Sequence, residues 1–201
     1  MEQLAITRYL RYYSSCLLNS RRNVYRSTRG FTLIELLAVV IITGILSLLA
    51  VAGFRRHMQS ARGAEALSVI QSIRSAEESY MSENHGYLNV SALDNWFPRP
   101  APDTNRVAFF DSKSQHTDLP LWRQLAPSIN RSVMFSYLAY AGVPGTIIPK
   151  LAVSKGPDFS AAQPLDWYVI QARGDVDGNS QFSLYASTSM TGEVYIENEG
   201  E

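Results

Sequence analysis

Residues Leu36 to Phe54 form a run of nineteen uncharged side chains, immediately preceded by one carboxylate, Glu35. Counted from Phe31, the apolar segment has 24 residues. That is about 36 Å of helix, enough to cross a hydrocarbon core about 30 Å thick. An ionised side chain in hydrocarbon costs at least a few kcal/mol unless it is paired. Glu35 therefore requires a partner. The segment predicts a membrane helix with one specific polar contact at its head.

Two plainer readings compete. A secretory signal peptide would use Ala50-Val51-Ala52 before Gly53 as a small-residue cleavage site. The stretch, however, exceeds the usual ~7 to 15 residues, contains Glu35, and runs on without a helix breaker. A single-pass anchor without further function also fits the hydropathy, but it gives Glu35 no role.

Beyond Phe54 the apolar positions thin into a stripe at Met58, Ala61, Ala66, Val69, Ile70, Ile73, Ala76 and Tyr80. Steps of three and four are the period of a helix with one buried face, and Arg56, Gln59, Arg62, Gln71, Arg74, Ser75 and Glu78 take the solvated side. The pattern predicts one helix from Phe31 to about Asn84, with Gly86 as its stop. Residues 31–54 form its membrane half and residues 55–84 its amphipathic half. Gly44 and Gly53 are its weakest points, each costing about 1 kcal/mol relative to Ala.

Net charge over the whole chain is zero, but residues 1 to 30 hold six Arg and one Glu, leaving 12 basic and 17 acidic side chains beyond. A basic head before an apolar span favours a cytoplasmic N-terminus, with Arg55, Arg56 and Arg62 on the far side weakening the contrast. The acidic remainder has no basic face to replace phosphate counterions, so nucleic acid is not an expected partner.

Arg29, Gly30, Phe31, Thr32, Leu33, Ile34 and Glu35 stand in the order of a specific signature: a basic leader, a Gly, then Phe-Thr-Leu-Ile-Glu at the head of an apolar helix. In these residues the chain resembles type IV prepilins and their pseudopilin relatives. The resemblance implies that a membrane-embedded prepilin peptidase removes residues 1–30 by cutting after Gly30 and methylates the new amine on Phe31. It also implies that Glu35 pairs with the terminal amine of a neighbouring subunit. The expected product is a structural subunit of a type IV pilus rather than an enzyme. Its partners would be the peptidase, identical or related pilin subunits and the assembly machinery of the inner membrane. It would sit as a single-pass protein in the inner (cytoplasmic) membrane and later in an extracellular or periplasmic filament. A pseudopilin of a type II secretion system is the alternative, followed by a membrane-anchored binding module. Many pilins close their C-terminal loop with a disulfide. Here the sole cysteine, Cys16, lies in the leader, so another device must hold the C-terminal region. The proline that the family often carries in its apolar half is missing.

Residues 85–201 predict a globular head. Tyr87 to about Arg131 reads as loop, with Phe97-Pro98-Arg99-Pro100-Ala101-Pro102 too rich in proline for a helix or central strand. A short helix is expected at Asp118 to Ala126, with Asp118 as cap and Pro120 in the first turn. Strands are expected at Val133 to Ala141, Asp166 to Ala172, Gln181 to Ser187 and Glu193 to Glu197. In the last two, Phe182, Leu184 and Ala186, then Val194 and Ile196, are expected on one face, with Thr191-Gly192 as the turn. The fold class is thus α+β: a long N-terminal helix packed on a small, mostly antiparallel four-stranded sheet, which is the pilin architecture.

No catalytic constellation stands out. His57, His85 and His116 are far apart, and neither a nucleophile elbow nor a phosphate loop occurs. No cofactor is expected, with one open point. Asp175, Asp177 and Asn179 place oxygen ligands at alternate positions, as a calcium loop begins. Ser180 then stands where such a loop needs Gly, and Ala186 where it needs Glu. The sequence admits a polar hairpin turn first and a calcium site second; some pseudopilins bind calcium in this general region. Arg173-Gly174-Asp175 has the form of an adhesion tripeptide, and Trp96, Trp122 and Trp167 are read as packing residues.

Overall fold

The computed structural model describes residues 30–154, 156, 159 and 161–200, and within them not the side chains at 52, 55 and 56. The expected leader up to residue 29, with Cys16, lies outside the described residues. The chain divides into two compact units, residues 1–47 and 48–201.

Helix α1 covers Leu33–Asn84, 52 residues. It starts two residues later than the hydropathy suggests, because Thr32 stays outside the helix as its N-cap. At the other end His85, at φ 59°, takes the left-handed position and donates its N–H to Met81 O at 2.9 Å. This is the usual way a helix closes its last carbonyls. Gly86, the expected stop, lies one residue too late. Every residue from Leu33 to Val51 is exposed. Thirteen Leu, Ile and Val side chains in that stretch are between 48% and 88% exposed. At roughly 1.5 kcal/mol or more each, leaving them in water costs about 20 kcal/mol, above the whole stability of a typical domain. Such a surface calls for an apolar cover, and its length and hydropathy are those of a membrane span.

In the second unit the same helix turns amphipathic. Ala66, Val69, Ile70 and Ile73 are at most 1% exposed and pack against a four-stranded sheet. Its strands are β3 (Ser136–Gly142), β4 (Trp167–Gly174), β5 (Ser183–Thr188) and β6 (Val194–Glu197), antiparallel and in sequential order. The four strands and the helix match the expected α+β architecture.

Register settles the faces. Tyr137 pairs with Ala172, Ala172 with Tyr185, and Tyr185 with Ile196; directly paired residues share a face. Tyr137, Ala139, Tyr168, Ile170, Ala172 and Tyr185 form the core with the helix, joined by half-buried Val194 and Ile196. The expected grouping of Leu184 and Ala186 with Val194 and Ile196 is therefore wrong by one residue in β5. Leu184 lies opposite Glu197, and Ala186 opposite Tyr195. The other face is also covered: Trp96, Leu138, Tyr140, Ile148, Trp167 and Val169 make a second cluster, with Leu151 and Phe159 packed against it. Residues 143–166, between β3 and β4, supply part of that cover. A sheet buried on both sides loses polar alternation, and β4 is accordingly buried along nearly its whole length.

One strand in the expected loop region escapes the sequence patterns. Strand β1 (Val107–Ala108) pairs with β2 (Ser132–Val133), and Phe97 bridges Tyr137. The expected strand from Val133 thus divides into β2 and β3. Helix α2 (Leu119–Leu125) has Pro120 in its first turn as expected. Asp118, though in the cap position, makes no side-chain cap. Its carboxylate instead accepts the Ala92 N–H at 3.1 Å and the Thr117 hydroxyl at 3.3 Å, tying the helix to the preceding loop.

Hydrogen bonds hold the C-terminal region in place of a disulfide. Ser183 Oγ donates to Asn198 O at 2.9 Å and accepts the Gly200 N–H at 3.2 Å, while Gln59 Nε2 donates to Gly200 O at 2.8 Å. The Glu197 carboxylate accepts the Ser154 N–H at 2.6 Å and its hydroxyl at 2.8 Å. Strand β6 and the residues after it are thereby fixed both to α1 and to the long β3–β4 connection.

Candidate functional site

Gly30, Phe31 and Glu35 come together at the head of α1. Gly30 and Phe31 are exposed and outside the helix, and a side chain added at Gly30 would meet nothing within 4 Å. Among the described residues nothing packs against Gly30. Glu35 Oε2 accepts the Thr32 N–H at 2.9 Å and the Thr32 hydroxyl at 2.8 Å, and Thr32 Oγ1 in return lies 3.3 Å from the Glu35 N–H. This is a capping box: two otherwise orphaned helix-terminal donors are satisfied reciprocally. The sequence signal was present as Thr32-Leu33-Ile34-Glu35, and reading Glu35 only as a charge in lipid misses it. Among the described residues no cation pairs with Glu35. Its carboxylate is held by hydrogen bonds alone and faces outward at the helix start.

Asp175, Asp177 and Asn179 lie between β4 and β5, where each side chain serves the loop's own backbone. Asp175 accepts the N–H groups of Gly178 (2.7 Å) and Ser180 (3.1 Å). Asp177 accepts the Asn179 N–H at 3.1 Å and its side-chain amide at 3.0 Å, and Asn179 accepts the Gln181 N–H at 2.6 Å. Gly178 (φ 82°) and Ser180 (φ 67°) take left-handed conformations, so this is the hairpin turn that Asp-Gly-Asn chemistry favours. Among the described residues no group of three or more His, Cys, Asp or Glu is arranged to hold a metal.

The Arg173-Gly174-Asp175 tripeptide is built into the fold. The Arg173 guanidinium sits 4.2 Å from the centroid of Trp96 and donates to Pro100 O, and Asp175 is 8% exposed. Burial lowers the pKa of Arg173, but its position over the rings of Trp96 and Phe182 compensates the cation. Trp96, Trp122 and Trp167 are all buried, as packing residues should be. His116 Nε2 donates to Trp96 O, 3.0 Å away, its Nδ1 accepts the Asp118 N–H at 3.2 Å, and its ring packs edge-on to Phe97, which gives it a structural place.

Glu77 is the residue that sequence patterns overlooked. It is fully buried, with Oε2 accepting the Leu88 N–H at 3.0 Å and Oε1 without a hydrogen-bond partner among the described residues. Loss of solvent pushes its pKa up to about 7, against the opposing Leu88 hydrogen bond and with a smaller rise from Glu78. Helical period shows the reason: Ala66, Ile70, Ile73 and Glu77 lie in one row.

Comparison with known proteins points to the N-terminal segment. Residues 25–51 match the family model described as the prokaryotic N-terminal methylation motif. The chain is also 39% identical over 63 residues to the type IV major pilin protein PilA of Myxococcus xanthus (strain DK1622). That similarity covers 31% of this chain and 29% of the relative. No solved structure matches the chain. With its long apolar helix and antiparallel sheet, the chain is type IV pilin-like.

Proposed function

We propose that the chain is a structural subunit of a type IV pilus, cleaved after Gly30, N-methylated on Phe31 and polymerised through α1. The observation that carries the reading is the helix head itself. An exposed Gly30-Phe31 bond, a capped Glu35 and thirteen uncovered aliphatic side chains follow one another inside a segment matching the methylation motif. Before assembly, lipid covers the apolar residues, and the Thr32 donors satisfy Glu35 where the helix meets the membrane surface; the basic leader holds that end in the cytoplasm. In the filament, helices of other subunits replace lipid. Because one apolar medium replaces another, the specific free energy comes from helix packing and from the pair between Glu35 and the Phe31 amine of an adjacent subunit.

Glu35→Ala tests this. The variant is expected to be expressed, inserted and cleaved, because insertion loses nothing when a carboxylate is removed. It is expected to fail in polymerisation, because each contact then buries an unpaired amine at a cost of roughly 3 to 5 kcal/mol; Glu35→Asp should be intermediate. Filament yield in sheared surface fractions, measured against the membrane pool, reads the effect. Normal yield from Glu35→Ala refutes the pairing. A pseudopilin of a type II secretion system is the second reading. It requires a head that depends on calcium and a protein absent from surface pili.

A further inference from the structure

Arg55, Arg56 and Arg62 follow the apolar helix on the side where the positive-inside rule disfavours basic residues. Arg62 has the surroundings of a ligand-binding group. It is half-buried and donates to Val176 O, and among the described residues it has no carboxylate partner. The carboxylates on either side of Val176, Asp175 and Asp177, are occupied by the amides of their own turn. Beside Arg62 opens a cleft of about 420 Å³, lined among others by Met58, Thr104, Asn105 and Arg106. The Arg106 side chain is 50% exposed, contacts Glu65 at 2.5 Å and donates to Ser132 O at 3.1 Å. Among the described residues Glu65 is the sole carboxylate in ion-pair contact with either guanidinium, so these two cations outnumber their paired carboxylates by one. The Asn105 side chain is engaged by the Asp103 carboxylate, whereas the Thr104 hydroxyl, also lining the cleft, bonds no other described residue and remains available as a donor.

Position along the helix identifies the anion. Phe54, the last residue of the apolar run, is 65% exposed. Met58 lies about 6 Å and Arg62 about 12 Å farther along the axis, and helical side chains lean back toward the N-terminus, here toward the membrane. The headgroup layer extends roughly 5 to 8 Å beyond the hydrocarbon on each side, and a long Arg side chain bridges the remainder. Met58, 38% exposed, sets an apolar surface next to the cations, which fits the junction between a phosphate and its glycerol better than a free inorganic anion. We propose that this cleft holds the phosphate of an anionic phospholipid in the leaflet on the head's side, clamping the unassembled subunit to the bilayer through Arg62 and Arg106. The inference rests on the membrane-spanning reading of α1.

The test compares full-length protein in nanodiscs of phosphatidylcholine with nanodiscs containing added phosphatidylglycerol, by hydrogen exchange at the amides of residues 58–66 and 104–106. Exchange is expected to slow about fivefold for each guanidinium engaged by the anionic lipid. Arg62→Gln should lose its share, while Arg62→Lys, which keeps the charge without the planar fork, should retain part of it. Equal exchange in the two bilayers, or slowing that is undiminished in Arg62→Gln, overturns the proposal. Equivalent slowing by inorganic phosphate in phosphatidylcholine discs overturns the lipid as its source. Slowing that appears only together with cross-linked dimers assigns the cleft to a second copy and overturns it too. Protein that fails to enter either disc removes the membrane reading itself, a separate and recognisable failure.

Discussion

Glu77→Gln should abolish the pH dependence that one buried carboxylate imposes on the fold. In the native chain this group has a pKa of about 7 against an ordinary value of 4.5. A native pKa above the unfolded one means that the folded state binds the proton more tightly. The stability it contributes is therefore complete below about pH 4.5 and is lost as pH rises through 7. The difference of about 2.5 pH units, at about 1.4 kcal/mol per unit, amounts to roughly 3 kcal/mol. Gln keeps an acceptor for the Leu88 N–H and carries no charge, so it removes this dependence. Near pH 4.5 the two proteins should be about equally stable; at pH 8 the variant should be more stable by up to about 3 kcal/mol. Urea unfolding of the full chain in detergent, followed by fluorescence of the buried Trp96, Trp122 and Trp167, measures both at each pH. The other carboxylates contribute equally to both proteins and cancel in the comparison. Equal pH slopes for native and variant would refute the reasoning.

Gly174→Ala should destabilise the head by about 1 to 3 kcal/mol by overpacking, since a Cβ there would stand 2.5 Å from Phe135 Cδ1. Gly63→Ala, whose Cβ would stand 2.9 Å from the Tyr185 hydroxyl, should cost less, because the helix recovers up to about 1 kcal/mol; thermal melts of both read the order, and the reverse order would contradict the packing described. Calcium at millimolar concentration should leave the melting temperature unchanged if Asp175, Asp177 and Asn179 form only a turn, whereas a rise with ligand concentration would establish a site.

Much of the fold is legible in the sequence wherever one side of an element faces water. The row Ala66, Val69, Ile70, Ile73 is visible because its neighbours are polar, and the apolar run from Leu36 is visible by length. Glu77 breaks the binary pattern in that same row, so a reading that looks for apolar residues passes over it although the period points to it. Strand β5 fails differently. Both of its faces are covered, one by α1 and one by residues of the β3–β4 connection, so Tyr185 and Ala186 are buried alike. Only the pairing of Tyr185 with Ile196 decides which faces the helix. Strands of two residues such as Val107–Ala108 have no period to detect. Asp118 shows a competing partner: the Ala92 N–H, distant in sequence, captures the carboxylate expected at the local cap. At the candidate site Gly30, Phe31 and Glu35 were legible as a motif, and the capping contact with Thr32 was equally so, from its spacing alone.

Mass spectrometry of the mature protein's N-terminus tests the central claim most directly. A chain beginning at N-methylated Phe31, with Gly30→Arg retaining its leader because a large charged side chain does not fit a peptidase site shaped for Gly, is the predicted result. A native protein that keeps residues 1–30, or one that begins at Gly53, would contradict it.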